Sequence, residues 1–166
     1  MIDLSSIFAL ITSFSISLGY LGAFILGFFS SFTLFIPSPT FIGVFTLAAL
    51  GTYNPLLLGI FGGLGATIGE LIGFVVGVGS KKILIKKYEK ELIDIERKFQ
   101  KYGGFIIIFI FSATPLPFDL VGIFCGSIGY PFKKFFLATF FGKLIKYIFI
   151  AYAGFYGMHW LVSYLF

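Results

Sequence analysis

Charge is what this sequence has least of. Only 11% of its 166 residues are Asp, Glu, Lys or Arg, against roughly 25% in an ordinary soluble domain, and no Lys or Arg occurs before Lys81. Water is therefore not the main solvent of the chain. Cys125 is the only cysteine and His159 the only histidine. A single cysteine excludes an intrachain disulfide, and one of each leaves too few ligands for a structural zinc site. No metal or other cofactor is expected. Residues 1–6 include Asp3 and no basic residue, so the n-region of a cleavable signal peptide is missing. The net charge of +5 would suit nucleic acid, but Lys81, Lys82, Lys86, Lys87, Lys90, Arg97, Lys98 and Lys101 all crowd into one segment between long apolar runs. That pattern records membrane orientation, and nucleic acid is not expected as a partner.

What is abundant is apolar, 58% of the chain, and it falls into runs of two kinds. Residues 6–29, 56–79 and 132–160 each provide the roughly 20 residues that a spanning helix needs. Residues 32–50 and 105–128 are instead pairs of short arms around two close prolines, Pro37 and Pro39 in one and Pro115 and Pro117 in the other. Proline lacks an amide donor and pushes the preceding residue out of the α region, so such a pair ends a helix. Each stretch is expected to enter the membrane and turn back as a re-entrant hairpin. Residues 81–102 differ again. Their basic residues are interleaved with Glu89, Glu91, Asp94 and Glu96, while Leu84, Tyr88, Leu92, Ile95, Phe99 and Tyr102 recur at steps of four and three. This predicts an amphipathic helix, either a linker between two halves or a surface for lipid or a partner.

The expected fold is one all-α integral membrane domain over residues 1–166. It has three spanning helices, two proline-tipped re-entrant hairpins in an inverted repeat, and one amphipathic cytoplasmic helix. The repeat is read from matching landmarks. Pro37-x-Pro39, Gly43 and Gly51-x-Tyr53-x-Pro55 precede one spanning helix; Pro115-x-Pro117, Gly122 and Gly129-Tyr130-Pro131 precede the other. Fifteen residues beyond the closing prolines stand Glu70 and Lys146. The positive-inside rule puts the N-terminus, residues 81–101 and Lys133-Lys134 in the cytoplasm and the C-terminus outside. The hairpins then enter from opposite sides. Broken elements meeting at the midplane between inverted repeats are a plan of secondary transporters.

In 56–79, Gly59, Gly62, Gly65, Ala66, Gly69, Gly73 and Gly77 share one helix side, and Leu64, Ile68, Leu71 and Val75 share the other. Small residues let a neighbouring backbone approach closely, which drives helix association in lipid. Glu70 lies on the small-residue side. With Asp119, Lys143 and Lys146 it makes four ionisable residues in apolar surroundings. A charge near the bilayer centre costs about 2.5–3.5 kcal/mol on insertion scales, so such groups face a bundle interior or a wet cavity. Lys143 and Lys146 share a face with Thr139, Ile150, Ala153, Gly154 and Gly157. Glu70 and Lys146 are expected to pair. Each residue also has a plainer reading: a purely structural ion pair for Glu70 and Lys146, snorkelling for Lys143, and a helix cap for Asp119. Ser112 and Thr114, beside Pro115, are hydroxyls with no histidine nearby in sequence to activate them, so an enzyme is not expected.

Phe35-Ile36-Pro37-Ser38-Pro39, the run Gly65-Ala66-Thr67-Ile68-Gly69-Glu70, and Pro115 through Gly129-Tyr130-Pro131 into Lys133-Lys134-Phe135 together resemble the DedA superfamily, also called the VTT or SNARE-associated fold. The resemblance covers about residues 31–157 and looks closest to the shorter YqaA-like branch. It implies movement of phospholipids or polyprenyl phosphate carriers between leaflets, in some members with the proton gradient, and an acidic residue at Glu70. The sequence also departs from the pattern. Ser112 and Phe118 stand where phosphate-binding members carry arginines in R-x-x-P-x-x-R, and Thr40 replaces an acidic residue after the first prolines.

The expected function is a flippase- or scramblase-type translocator of lipids or lipid-linked carriers in the cell membrane. Glu70, Asp119, Lys143, Lys146, Pro37, Pro39, Pro115, Pro117, Ser112 and Thr114 form its transport site. The alternative is a proton-coupled transporter of a small solute or ion. Membrane lipids, a lipid-linked carrier, protons and further copies of the chain are the partners this reading allows.

Overall fold

The computed structural model describes residues 18–31, 40–101, 103–114, 116 and 118–165, with the side chains of 40, 41, 81–96, 98, 100 and 158–165 outside that description. Among the described residues all regular structure is helical. The six helices are α1 (Tyr20–Ser30), α2 (Thr40–Ala49), α3 (Pro55–Lys101), α4 (Gly104–Ala113), α5 (Asp119–Ser127) and α6 (Phe132–Leu165). Among the described residues two stretches are long and apolar enough to cross a membrane, Pro55–Ser80 within α3 and Phe132–Gly157 within α6. Pro37, Pro39, Pro115 and Pro117 lie outside the described residues.

Local chemistry sets the element ends. Four glycines, Gly19, Gly51, Gly103 and Gly129, have φ of 58°, 70°, 89° and 76°. Side chains with a Cβ rarely adopt such angles. Gly19 and Gly103 lead into α1 and α4, and Gly51 and Gly129 follow α2 and α5. The start of α3 is capped by Asn54, whose Oδ1 accepts from the amides of Leu56 and Leu57 at 2.9 and 3.4 Å, with Pro55 at the first helical position.

Two expected boundaries change. Residues 6–29 are not one helix, because the turn at Leu18-Gly19 separates α1 from what precedes it, and α1 has only 11 residues. Gly19, with its left-handed backbone, sets the start of this helix at Tyr20. Residues 56–79 and 81–102 are not separate helices either, since α3 runs through both. A straight helix would carry Phe99 about 33 Å beyond Gly77 at 1.5 Å per residue. Yet Gly77 lies against Ile123 and Gly126 of α5, and the Phe99 ring meets Phe124 of that same helix at 5.6 Å between centroids. The axis of α3 therefore turns back between Gly77 and Phe99. Gly79-Ser80, with the Ser80 hydroxyl donating to the Gly77 carbonyl at 2.7 Å, is the kind of Gly/Ser pair where helices bend.

The first apolar stretch of α3 is the hub, and its small-residue side is the one buried. A methyl on Gly65 would collide with the Phe24 carbonyl of α1, one on Gly59 with the Ile148 backbone of α6, and one on Gly77 with the Ile123 carbonyl of α5. Ile68 and Val75 on the opposite side are exposed, as a lipid-facing surface requires. The short helices divide between the two long ones in a crossed pattern: α1 packs on α3 and α2 mainly on α6, whereas α4 packs mainly on α6 and α5 on α3.

Two apolar cores result. One gathers Leu26, Val44, Leu47, Leu58, Ala66 and Tyr147; the other gathers Phe74, Ile108, Phe118, Cys125, Phe135 and Ala138. Glu70 sits one turn from Ala66 and one turn from Phe74. Lys143 sits between Ala138 and Tyr147. The charged residues thus occupy the seam between the two cores.

Candidate functional site

The seam is built from α3 and α6. Glu70 projects from the buried side of α3 because Gly69 and Gly73 beside it keep that side narrow. Lys143 Nζ donates to Glu70 Oε1 at 2.5 Å, with Glu70 2% and Lys143 4% exposed. The expected partner, Lys146, is not the one Glu70 takes. Lys143 and Lys146 are one turn apart on α6, and the inner of the two faces α3 directly. Snorkelling of Lys143 is likewise overturned, since its ammonium ends on a buried carboxylate.

Lys146 is half-buried and donates to the Thr114 carbonyl at 3.1 Å, at the C-terminal end of α4. Among the described residues no carboxylate lies within ion-pair reach of it. A helix C-terminus carries partial negative charge, which suits an ammonium there. Lys143 also lies over the Phe118 ring, 5.2 Å from its centroid, within cation–π range. Phe118 itself stacks on Phe135 at 6.0 Å.

Asp119 is buried and is the first residue of α5; the capping position belongs to Phe118. Its charge is favourable at a helix N-terminus. Its backbone carbonyl faces Gly73 of α3, so α5 reaches the hub one turn from Glu70. Ser112 is fully buried, and its hydroxyl donates to the carbonyls of Phe109 at 2.9 Å and Ala138 at 3.3 Å. Gly142 leaves it the room. The Thr114 hydroxyl donates back to Ile110 and Phe111 carbonyls at 3.0 and 3.2 Å.

Two buried polar atoms have no hydrogen-bond partner among the described residues, Glu70 Oε2 and Thr139 Oγ1. A buried group left in this state costs about 1–3 kcal/mol, more if charged. Around them lie polar contacts that sequence reasoning did not single out. Tyr147 OH and Ser30 Oγ hydrogen-bond to each other, Ser31 Oγ donates to Ala66 O at 2.7 Å, and Thr67 Oγ1 donates to Gly63 O at 2.7 Å. Serine and threonine beside a glycine face were the available signal. Among the described residues no cluster of His, Cys, Asp or Glu could hold a metal ion.

An all-helical membrane protein with buried charges between two apolar cores is the class these features define. The chain belongs to the VTT domain family, whose match runs over residues 36–156. It is 28% identical over 130 residues to an uncharacterised protein of Methanocaldococcus jannaschii, covering 78% of this chain and 79% of that one. It is 34% identical over 110 residues to the vacuole membrane protein 1 homolog of Dictyostelium discoideum, covering 52% of this chain and 27% of the relative. With vacuole membrane protein KMS1 of Arabidopsis thaliana it shares 50% identity over 43 residues, 25% of this chain and 10% of the relative. The vacuole membrane proteins are thus matched over a small part of their length. No solved structure matches the chain.

Proposed function

We propose that the protein moves lipids or lipid-linked carriers between leaflets, with the α3–α6 seam as the polar path for the headgroup. The observation that carries this reading is the Glu70–Lys143 pair, buried between the two cores, beside an ammonium on Lys146 that has no acid of its own among the described residues. Such groups are costly in lipid and mark pathways for polar cargo. The seam lies in a body with an exposed apolar exterior, where acyl or prenyl chains stay in the bilayer while the headgroup passes.

The proposed topology is two re-entrant hairpins, α1–α2 and α4–α5, each bracketed by left-handed glycines and followed by a spanning helix. The crossed packing supports an inverted repeat: the first arm of each hairpin lies on the long helix of its own half, and the second lies mainly on the long helix of the other half. Lys143 at Phe118 and Lys146 at Thr114 bring positive charge from α6 to the second hairpin, where the family resemblance has arginines. A position in the YqaA-like branch fits these departures. The N-terminus and residues 81–101 lie in the cytoplasm and the C-terminus outside, in this reading. The protein is not an enzyme in this reading, which the backbone bonds made by the Ser112 and Thr114 hydroxyls support.

Purified protein in liposomes carrying fluorescent phospholipids or a polyprenyl phosphate tests the proposal. Exchange between leaflets should be faster than in empty vesicles for at least one lipid; no acceleration for any of them contradicts it. The second reading is a proton-coupled transporter of a small solute or ion. Glu70 Oε2, which has no hydrogen-bond partner among the described residues, favours it, as an oxygen able to take up a proton. It predicts uptake driven by a pH gradient, lost in Glu70→Gln, with lipid exchange unchanged.

A further inference from the structure

Lys146 and Glu70 each have bonding capacity that the present arrangement does not use. The Lys146 ammonium has three N–H donors and, among the described residues, one acceptor, the neutral Thr114 carbonyl at 3.1 Å. Glu70 Oε2 is buried and accepts nothing among the described residues. The two are neighbours. Lys143, which holds Glu70 Oε1, lies three residues before Lys146 on α6, and side chains so spaced stand about 5–6 Å apart at Cβ. A lysine stem of four flexible carbons covers that interval.

The competing acceptors attract an ammonium for different reasons. A bond from an ammonium to a carboxylate is charge-assisted on both sides. Thr114 lies just past the last turn of α4, where the helix presents its partial negative charge and the chain turns extended, with φ −98° and ψ 166°. Lys143 tips the balance. By neutralising Glu70 it weakens the attraction of that carboxylate for a second ammonium, and it repels Lys146 from the same oxygen.

We infer that Lys146 is a two-position latch, exchanging the Thr114 carbonyl for Glu70 Oε2. The end of α4 is held while Lys143 alone serves Glu70 and is released when Lys146 moves to it. A latch of this kind would link the charge state of the seam to the position of the α4 end. The inference goes beyond the translocation reading, and its test reads a distance, so the two fail separately.

Spin labels at Leu116→Cys and Tyr156→Cys, both exposed positions, on a Cys125→Ser background in nanodiscs report the distance from the α4 end to the far part of α6. Lys146→Met defines the released distribution. Lys143→Met should shift the distribution to that same position, because an unneutralised Glu70 draws Lys146 away. Adding Glu70→Gln to Lys143→Met should return it to that of the unsubstituted protein, since Lys146 then has only Thr114. The inference is overturned if Lys146→Met leaves the distance unchanged, if Lys143→Met keeps the original distribution, or if the double substitution stays released. Should Lys143→Met not fold, Lys143→Gln, which removes the charge but keeps a hydrogen-bond donor beside Glu70, takes its place: the released distribution supports the latch, and the original one overturns it.

Discussion

Lys143 and Glu70 are 73 residues apart in sequence and 2.5 Å apart in space, and their bond joins the two long helices at the seam between two apolar cores. Breaking such a buried pair from one side leaves an uncompensated charge, at a cost of about 3–5 kcal/mol, whereas removing both partners is often nearly neutral. Glu70→Gln and Lys143→Met should each lower the unfolding midpoint of the purified protein, and the double variant should recover most of the loss. Lys146→Met combined with Glu70→Gln should show a much smaller coupling. Equilibrium unfolding in mild detergent measures the cycle.

Glycine contacts give a graded prediction along α3. Gly65→Ala and Gly77→Ala drive a methyl into the Phe24 and Ile123 carbonyls, where backbone must move. Overpacking of this kind costs about 1–3 kcal/mol. Gly79→Ala meets nothing within 4 Å and should be neutral or stabilise by up to about 1 kcal/mol through the unfolded chain. Thermal stability of the three variants orders them.

Much of this arrangement was legible in the sequence. The small-residue side of α3 could be read from glycines at helical spacing, and Glu70, Asp119, Lys143 and Lys146 stood out as charges among apolar residues. The partner of Glu70 was not legible. Counting from the closing prolines pointed to Lys146, but the choice between two lysines one turn apart depends on how α6 is rotated against α3. The start of α1 at Tyr20 was hidden for a different reason: it is set by the left-handed backbone of Gly19, and a single glycine in a long apolar stretch does not announce that conformation. Nor could spacing alone reveal the bend of α3, because only the ring contact of Phe99 with α5 requires it.

Phe99 ties the end of α3 to the second apolar core through Phe124 and Tyr130, at 5.6 and 5.4 Å between centroids. Edge-to-face pairs contribute about 0.5–1.5 kcal/mol each. Phe99→Ala should loosen this end locally, so that trypsin cleaves after the exposed Arg97 several-fold faster. Unfolding of the membrane body should change little.

Orientation is tested at the same segment. On a Cys125→Ser background, Arg97→Cys should react with an impermeant maleimide in inverted vesicles and remain unlabelled in intact cells. Labelling in intact cells would reverse the assigned topology.

The most direct measurement of the central claim compares lipid exchange in liposomes for the unsubstituted protein and the Glu70→Gln, Lys143→Met double variant at matched reconstitution. The double variant removes the buried ion pair of the seam while sparing the fold. Exchange that is accelerated by the unsubstituted protein and falls at least about tenfold in the double variant, a change of about 1.4 kcal/mol in the barrier, is the result expected. Equal exchange by the two proteins would contradict a headgroup path through Glu70 and Lys143.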